Sequence, residues 1–264
     1  MIKMVVTDID GTIYTPEKGM STAVKECLKN LTDEGVLVVI ATGRTYASAR
    51  YMADMAGIRC PLVGYQGGII CSYSGDILKV KYLDSDIAKD IINDFRKRKI
   101  HINVYVADKL YVENDDEYIK DYIGDKGIDY FKVDSFDKLD LTKLNKILAI
   151  NYNPEFINNL INELKNKYPM LYIVKSHDYF CEIANKEATK GNAVKFFAQK
   201  YNIAYEEILA IGDQNNDIEM VKTAGIGIAM GNGTAEIKEA ADYVTDTVQN
   251  DGFVKAINKF VWGK

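Results

Sequence analysis

The chain of 264 residues carries a net charge of −5, and 47% of its residues are hydrophobic and 27% are charged. This composition is that of an ordinary globular protein, and the length allows one or two domains. The negative charge, without a concentrated basic tract, argues against a nucleic-acid-binding function. No apolar run reaches the roughly 18 residues that a membrane-spanning helix needs.

Cysteine usage and the N-terminal sequence both bear on where the protein works. The four cysteines, Cys27, Cys60, Cys71 and Cys181, are scattered without a CxxC spacing. Buried thiols in a reducing compartment are therefore expected rather than disulfides. The first residues lack the charged region followed by an apolar stretch that marks a signal peptide. We therefore predict a cytoplasmic protein.

The first 82 residues alternate between strand and helix patterns. Residues 21–34 place apolar side chains at helical spacing, whereas residues 36–41 form an all-apolar run of strand length. Such a run is typical of a sheet that is covered on both faces. The predicted elements are strands at 4–7, 36–41, 61–65 and 68–72 and helices at 21–34 and 45–55.

The middle of the chain, residues 83–185, is richer in Tyr, Asn, Lys and Asp. Its patterns predict a second unit of α+β type, inserted into the first. The predicted elements are helices at 86–99, 116–124 and 154–166 and strands near 102–112, 146–152 and 171–183.

Residues 186–264 resume the alternation of the first part. The predicted elements are helices at 191–201 and 217–223, strands at 207–211, 225–230 and 243–245, and a C-terminal helix anchored by Trp262. Alternating strands and helices predict an α/β fold with a doubly wound parallel sheet. The predicted core therefore comprises residues 1–82 and 186–264, and the α+β domain of residues 83–185 interrupts it.

The start of the chain carries its most informative motif. The apolar run of the first predicted strand ends in two carboxylates, Asp8 and Asp10, which Gly11 follows. Alternate residues of a strand point the same way, so the two carboxylates crowd one small volume, and Gly11 permits a sharp turn. Two like charges so close need a cation or a chemical task to compensate them. A divalent metal ion with a nucleophile and a proton donor would account for this motif.

Polar clusters follow three of the predicted core strands. They are Asp8-Ile9-Asp10-Gly11-Thr12, Thr42-Gly43-Arg44 and Gly212-Asp213-Gln214-Asn215-Asn216-Asp217. Ligands of open parallel sheets bind beyond the carboxyl ends of the strands, so the fold would gather these clusters in one crevice. Lys190 could add a cation there. The pooled carboxylates, hydroxyl and amide groups suit Mg²⁺, a hard cation that takes oxygen ligands.

The same groups suit phosphoryl transfer. The transferred group carries spread negative charge, which catalysis must meet with cations and hydrogen-bond donors. One carboxylate can attack phosphorus and form an aspartyl phosphate, and a second carboxyl can deliver a proton to the leaving oxygen. We therefore expect an enzyme that acts on a phosphorylated molecule.

Four motifs resemble those of the haloacid dehalogenase (HAD) superfamily of phosphatases. They read DIDGT, ATGR, a lone Lys190 in ATKG, and GDQNND, in the order and strand contexts of that superfamily. The insertion between ATGR and Lys190 resembles the large mobile cap of the Cof-type subgroup of sugar-phosphate phosphatases. The resemblance implies a Rossmann-like core with an inserted cap that closes over the substrate. It also implies a Mg²⁺-dependent phosphatase that hydrolyses small organic phosphate monoesters, such as sugar phosphates, through an aspartyl-phosphate intermediate.

The resemblance also assigns roles to individual residues. It implies that Asp8 is the nucleophile and that Asp10 is the general acid and then the general base. It implies that Mg²⁺ is held by Asp8, the backbone carbonyl of Asp10 and Asp213. Asp217 would orient the waters of the metal or bind the metal directly. The implied phosphate-binding groups are the backbone amide of Ile9 and the residues Thr42, Gly43, Arg44, Lys190 and Asn216.

The turn after the strand at 61–65 departs from the family pattern. The family often has an Asn-Gly-Ala-like turn there, and this chain reads Gln66-Gly67-Gly68. The resemblance therefore leaves the role of Gln66 toward the substrate open.

Two other functions share this chemistry. A phosphomutase of the same superfamily would pass the phosphoryl group from the aspartyl phosphate back to a sugar. A phospho-accepting signalling module also combines an acidic site, a hydroxyl residue and a Lys around Mg²⁺. Such a receiver is about half this length and lacks the carboxylate two residues after its phospho-accepting Asp. We expect a monomer or weak homodimer with a small-molecule substrate and no nucleic-acid or membrane partner.

Overall fold

The computed structural model describes residues 1–124 and 129–264. Within them the chain separates into two compact units. The first unit comprises Met1–Lys79 and Thr189–Lys264, and the second comprises Val80–Ala188. The second unit thus begins three residues before the predicted insertion of residues 83–185 and ends three residues after it.

Strands and helices alternate through most of the chain. The strands are β1 (Met4–Thr7), β2 (Leu37–Ala41), β3 (Leu62–Gly64), β4 (Ile69–Cys71), β5 (Ile77–Val80), β6 (His101–Val106), β7 (Lys109–Val112), β8 (Tyr130–Lys132), β9 (Leu144–Ile150), β10 (Leu171–His177), β11 (Phe180–Asn185), β12 (Ile208–Gly212), β13 (Ile226–Ala229) and β14 (Tyr243–Val244). The α-helices are α1 (Thr22–Asp33), α2 (Tyr46–Ala56), α3 (Ser85–Arg98), α4 (Glu117–Ile123), α5 (Pro154–Lys167), α6 (Lys190–Tyr201), α7 (Ile218–Thr223), α8 (Ala235–Ala240) and α9 (Gly252–Phe260). Within the described ranges, none of these helices is both long and apolar enough to cross a bilayer.

The first unit is built on one sheet with the strand order β14-β13-β12-β1-β2-β3-β4-β5. The strands from β14 to β3 run parallel to their neighbours, and β4 is antiparallel to β3. The first strand of the chain therefore lies in the middle of the sheet, between β12 and β2. The carboxyl ends of these three strands lie side by side, which is where the polar motifs of the sequence begin.

Helices cover both faces of this sheet. Successive residues of β1 point to opposite faces: Val5 belongs to one apolar cluster with Leu28 of α1 and Ile257 of α9, and Val6 belongs to another with Phe197 of α6. Burial on both faces explains why the strands are apolar at every position rather than at alternate ones. This is the doubly wound arrangement that the sequence predicts.

The second unit is an α+β domain with its own core. Its sheet has the strand order β10-β11-β9-β6-β7-β8, and its strands pair antiparallel except for β7 and β8, which are parallel. The helices α3 and α5 pack on one face of the sheet, where Phe95 and Leu160 join Val104, Ile147 and Ile183 in one apolar cluster. The described residues therefore contain the inserted α+β domain that the composition and the apolar patterns of the sequence predict.

The differences from the predicted elements are local. The short strands β5 and β8 and the helix α8 were not predicted, because elements of three to six residues are too short to show a clear periodicity. Helix α6 begins at Lys190, one residue before the predicted start. The Thr189 hydroxyl accepts a hydrogen bond from the Asn192 amide and caps the helix. This places Lys190 in the first turn of α6 instead of in the preceding loop.

The four cysteines are all buried, as predicted. Burial raises the pKa of the Cys27, Cys60 and Cys181 thiols to about 12. These three thiols therefore stay protonated at neutral pH, which makes them poor nucleophiles and poor metal ligands.

Candidate active site

The polar motifs lie at the carboxyl ends of three neighbouring strands. The register pairs Thr7 of β1 with Ile40 of β2 and with Ile211 of β12. Asp8 directly follows Thr7, and Thr42 and Asp213 directly follow the last residues of their strands. The sheet therefore gathers groups that are more than 200 residues apart in the chain at one edge.

Three carboxylates form the centre of this edge. One oxygen each of Asp8, Asp213 and Asp217 lies within 4.8 Å of the other two, and all three side chains are buried. Three carboxylates this close suit a hard divalent cation such as Mg²⁺ or Ca²⁺ rather than a soft metal that prefers sulfur or imidazole. The donor chemistry of the site therefore fits the predicted Mg²⁺.

Lys190 lies against two of these carboxylates. Its Nζ donates hydrogen bonds to Asp8 Oδ1 and to Asp217 Oδ1, each at 2.6 Å. The Lys190 side chain is fully buried although it carries a charge. A buried ammonium requires paired carboxylates around it. The first turn of α6 thus fixes a cation at the position where the strand ends meet.

The site carries an excess of negative charge. Burial raises the pKa of Asp8 well above its usual range; Lys190 opposes this, while Asp217 and Asp213 add to it. Burial and the neighbouring Asp217 raise the pKa of Asp213 to about 7. Burial disfavours the charged form of Lys190, but Asp217 and Asp8 outweigh it and raise the Lys190 pKa. One ammonium cannot balance three carboxylates, so a bound cation would lower the energy of the ionised site.

Two glycines allow this crowding. Gly11 has φ +77°, and a Cβ there would lie 2.2 Å from Asp213 Oδ2. A Cβ on Gly212 would lie 2.4 Å from Asp217 Cβ. No side chain fits at these distances, so the turn after β1 and the end of β12 can hold the carboxylates together only if both residues are glycine.

Asp217 also shapes the loop that holds Asp213. Its Oδ2 accepts hydrogen bonds from the backbone amides of Asp213 and Gln214, both at 3.1 Å. Its other oxygen accepts from Lys190. Asp217 therefore connects β12 to α6, and this positioning explains why it is fully buried.

Asp10 and Arg44 face each other at the edge of the site. Arg44 Nε donates to Asp10 Oδ2 at 2.8 Å, and Arg44 Nη2 lies 2.5 Å from Asp10 Oδ1. The Asp10 side chain is 51% exposed, in contrast to the buried Asp8. Both Asp10 oxygens are thus engaged by the guanidinium, although the sequence assigned Asp10 to proton transfer and Arg44 to phosphate binding. Both assignments remain predictions.

The Thr42 hydroxyl is available as a donor. Thr42 is buried, and its Oγ1 accepts a hydrogen bond from the Arg44 amide at 3.2 Å. Since a hydroxyl carries one proton and that proton has no acceptor among the described residues, it can point toward a ligand. The Arg44 amide thus fixes the Thr42 oxygen at the end of β2.

Asn216 contacts the residue whose role the sequence left open. Its Nδ2 donates to Gln66 Oε1 at 2.9 Å. The turn between β3 and β4 therefore contacts the motif that contains Asn216, although the departure from the family pattern had left a role of Gln66 toward the substrate open.

Three further residues support the site, and sequence reasoning gave two of them, Gln214 and Asn232, no role. Gln214 Nε2 donates to Asp213 Oδ2 at 3.1 Å, and Thr12 Oγ1 lies 3.5 Å from Asp213 Oδ1. Asn232 Nδ2 donates to the Gly11 carbonyl at 2.8 Å. Gln214 and Thr12 lie inside two of the four motifs, so their positions in the sequence could have indicated that they support the site. Asn232 lies in a turn after β13 whose sequence carries no such signal.

Comparison with known proteins gives the family. The model of the haloacid dehalogenase-like hydrolases matches residues 5–257. The 5-amino-6-(5-phospho-D-ribitylamino)uracil phosphatase YcsE of Bacillus subtilis is 29% identical, with 98% of this chain and 96% of that protein covered. A phosphoglycolate phosphatase of Methanoculleus marisnigri is 25% identical, with 98% and 97% covered. The crystal structure of TM0651 from Thermotoga maritima has a TM-score of 0.86 at 29% identity and 98% coverage of both chains.

The chain therefore belongs to the haloacid dehalogenase-like hydrolases. This confirms the predicted superfamily with its Cof-type subgroup, and the predicted fold class of a doubly wound core with an inserted cap domain. It also confirms that the chain is a phosphoric monoester hydrolase.

Proposed function

We propose that the protein is a Mg²⁺-dependent phosphatase that hydrolyses small organic phosphate monoesters through an aspartyl phosphate on Asp8. The observation that carries this proposal is the buried cluster of Asp8, Asp213 and Asp217 with Lys190 between two of its members. It combines a nucleophile, a fixed cation and oxygen ligands for a metal at one strand edge.

The metal would be held by side chains that the fold has already brought together. Asp8 and Asp213 would bind Mg²⁺ directly, with the backbone carbonyl of Asp10, and Asp217 would orient its waters or bind it. When bound, the ion supplies positive charge that offsets the carboxylates and the phosphoryl oxygens. The net charge of the cluster, which Lys190 balances only in part, supports this assignment.

Asp8 and Lys190 would act on the phosphoryl group. A carboxylate oxygen of Asp8 attacks phosphorus, the bond to the leaving oxygen breaks, and water later hydrolyses the acyl phosphate to restore Asp8. Lys190, Thr42 and the amides of Ile9 and Gly43 would hold the phosphoryl oxygens, with Asn216 beside them. The hydrogen bond from Lys190 to Asp8 keeps the attacking carboxylate in one orientation before substrate arrives.

Asp10 would protonate the leaving oxygen, and this requires Arg44 to move. In the described state both Asp10 oxygens contact the Arg44 guanidinium. A phosphate group offers that guanidinium an equivalent bidentate partner. We propose that Arg44 exchanges Asp10 for a phosphoryl oxygen of the incoming substrate. This exchange would leave Asp10 free to transfer a proton and would place Arg44 on the phosphate, as predicted for each residue.

The relatives indicate the size of the substrate. The names of two of them specify 5-amino-6-(5-phospho-D-ribitylamino)uracil and phosphoglycolate, and both are small phosphate monoesters. We propose a substrate of this class, with sugar phosphates as the first candidates, for a cytoplasmic enzyme that is a monomer or weak homodimer.

A panel of phosphorylated metabolites tests the proposed function. We expect Mg²⁺-dependent release of inorganic phosphate from at least one sugar phosphate or related monoester, over many turnovers, and loss of release in EDTA. Appearance of an isomer without phosphate would indicate a phosphomutase instead. A single stoichiometric burst would indicate a signalling module. Equal rates in Mg²⁺ and in EDTA would contradict the metal assignment.

Metal affinity should fall as the pH falls. The pKa of Asp213 is raised to about 7 by burial and by Asp217, and a carboxylate must lose its proton to bind a cation. The proton of Asp213 alone should make the apparent Mg²⁺ affinity at least roughly tenfold lower at about pH 6 than at about pH 8. Isothermal titration calorimetry in buffers of different ionisation enthalpy measures both the affinity and the released proton. Equal affinities at the two pH values would contradict this.

A further inference from the structure

The turn between β3 and β4 has an unusual backbone. Tyr65, Gln66 and Gly67 have φ values of 51°, 62° and 123° in succession. Tyr65 and Gln66 have side chains, so this left-handed conformation is strained for both. Both are also almost fully buried, with 0% and 2% of their surface exposed. Strain of this kind persists where the surrounding structure imposes it, and it is concentrated at functional sites.

Contacts with the site motifs impose this conformation. The Gln66 amide donates to the Thr42 carbonyl and the Tyr65 amide donates to the Arg44 carbonyl, both at 3.0 Å. Gly67 packs on the residue that caps α6, since a Cβ there would lie 2.3 Å from the Thr189 carbonyl oxygen. The turn therefore joins the loop after β2 to the helix that carries Lys190.

The Gln66 side chain extends this connection to a third motif. Its Oε1 accepts the hydrogen bond from Asn216 Nδ2 at 2.9 Å. This bond determines which way the Asn216 amide faces, because one end of the amide is now occupied. The other end, Asn216 Oδ1, is buried and has no hydrogen-bond partner among the described residues. A buried acceptor without a partner is costly, so an O–H or N–H donor of a ligand would stabilise it.

We propose that Gln66 is a positioning residue that holds the Asn216 amide in the orientation needed to bind the phosphoryl ligand. In that orientation Asn216 Oδ1 accepts a hydrogen bond from an O–H group at the site, such as that of a phosphate monoanion or of a water beside it. The inference rests on the proposed function, because it assigns Gln66 to the same phosphoryl site. Because Gln66 acts through Asn216, replacing Gln66 should cause no further loss of phosphate affinity once Asn216 has been replaced.

Binding of inorganic phosphate tests this without turnover. We expect Gln66→Met, which keeps the length of the side chain and loses the acceptor, to weaken phosphate binding roughly tenfold by calorimetry. Gln66→Gly should weaken it equally, although glycine suits the left-handed backbone better. Asn216→Ala should have the same effect, and adding Gln66→Met to it should cause no further loss. Gln199→Met, at an exposed position of α6, serves as the matched control and should bind like the wild type.

The outcomes separate this inference from the proposed function. Additive losses in the double variant, or unchanged affinity in Gln66→Gly or Asn216→Ala, would overturn the positioning role. If Gln66→Met fails to fold, the phosphate affinities of Gln66→Gly and Asn216→Ala still test the positioning role of Gln66. A merely structural role for Gln66 predicts that Gln66→Gly, which relieves the strain, binds phosphate normally. Failure of the proposed function would instead appear as a wild-type protein that binds phosphate and releases none from any monoester.

Discussion

Replacing Asp8 with Asn should abolish turnover, with a loss of at least about 10⁴-fold in the rate of phosphate release. The side-chain amide of Asn is a far weaker nucleophile than a carboxylate, because it carries no negative charge and the lone pair of its nitrogen is delocalised into the carbonyl. The fold should persist, since Asn has the same shape and its Oδ1 can still accept the hydrogen bond from Lys190. The substitution also removes one of three crowded carboxylates, so thermal stability should be unchanged or slightly higher.

The matched control for this variant is Asp33→Asn. Asp33 is the last residue of α1, its side chain is exposed, and it lies in the same unit as Asp8. It should keep the wild-type rate. Both variants should show wild-type circular dichroism and melting behaviour. An Asp8→Asn protein that is folded and retains more than a small fraction of the wild-type rate would exclude Asp8 as the nucleophile.

Replacing Lys190 with Met should damage both stability and activity. The substitution leaves Asp8 and Asp217 buried without the ammonium that contacts each at 2.6 Å. Breaking a buried ion pair by removing one partner costs about 3–5 kcal/mol, which for a unit of this size lowers Tm by roughly 6–20 °C. Phosphate release should fall by at least about 10³-fold, because the phosphoryl group loses a fixed cation.

Lys195→Met provides the control on the same helix. Lys195 is half-exposed, and its Nζ lies 3.4 Å from Glu219 in a surface ion pair. Such pairs contribute little, so its loss should change stability by less than about 1 kcal/mol and leave the rate unchanged. Differential scanning calorimetry and phosphate release measure both variants. Equal Tm values for Lys190→Met and Lys195→Met would contradict the buried ion pairs.

The core could be predicted from sequence because its signals are local and consistent. The apolar runs of β1, β2 and β12 have strand length, and each ends in polar residues that a parallel sheet must place at one edge. The glycines at 11 and 212 stand where side chains would collide with Asp213 and Asp217. Composition, periodicity and motif therefore all indicate one arrangement, which is why the gathering of Asp8, Asp213 and Asp217 could be predicted.

The pairings within the site could not be predicted. Sequence reasoning assigned Arg44 to phosphate binding and left the Asp10 carboxyl free. The two side chains instead contact each other, because the loops after the neighbouring strands β1 and β2 bring a guanidinium and a carboxylate together. The bond from Asn216 to Gln66 joins residues 150 positions apart, and no local pattern encodes it. The short elements β5, β8 and α8 depend on tertiary packing rather than on periodicity.

The most direct test of the account is to look for the covalent intermediate. The wild-type protein is mixed with p-nitrophenyl phosphate and Mg²⁺, quenched in acid during turnover, digested, and analysed by mass spectrometry. We predict one phosphoryl group on the peptide that contains Asp8, which disappears when the substrate is exhausted and never forms in Asp8→Asn. Turnover without a phosphorylated peptide, or with the phosphoryl group on another residue, would contradict the proposed mechanism.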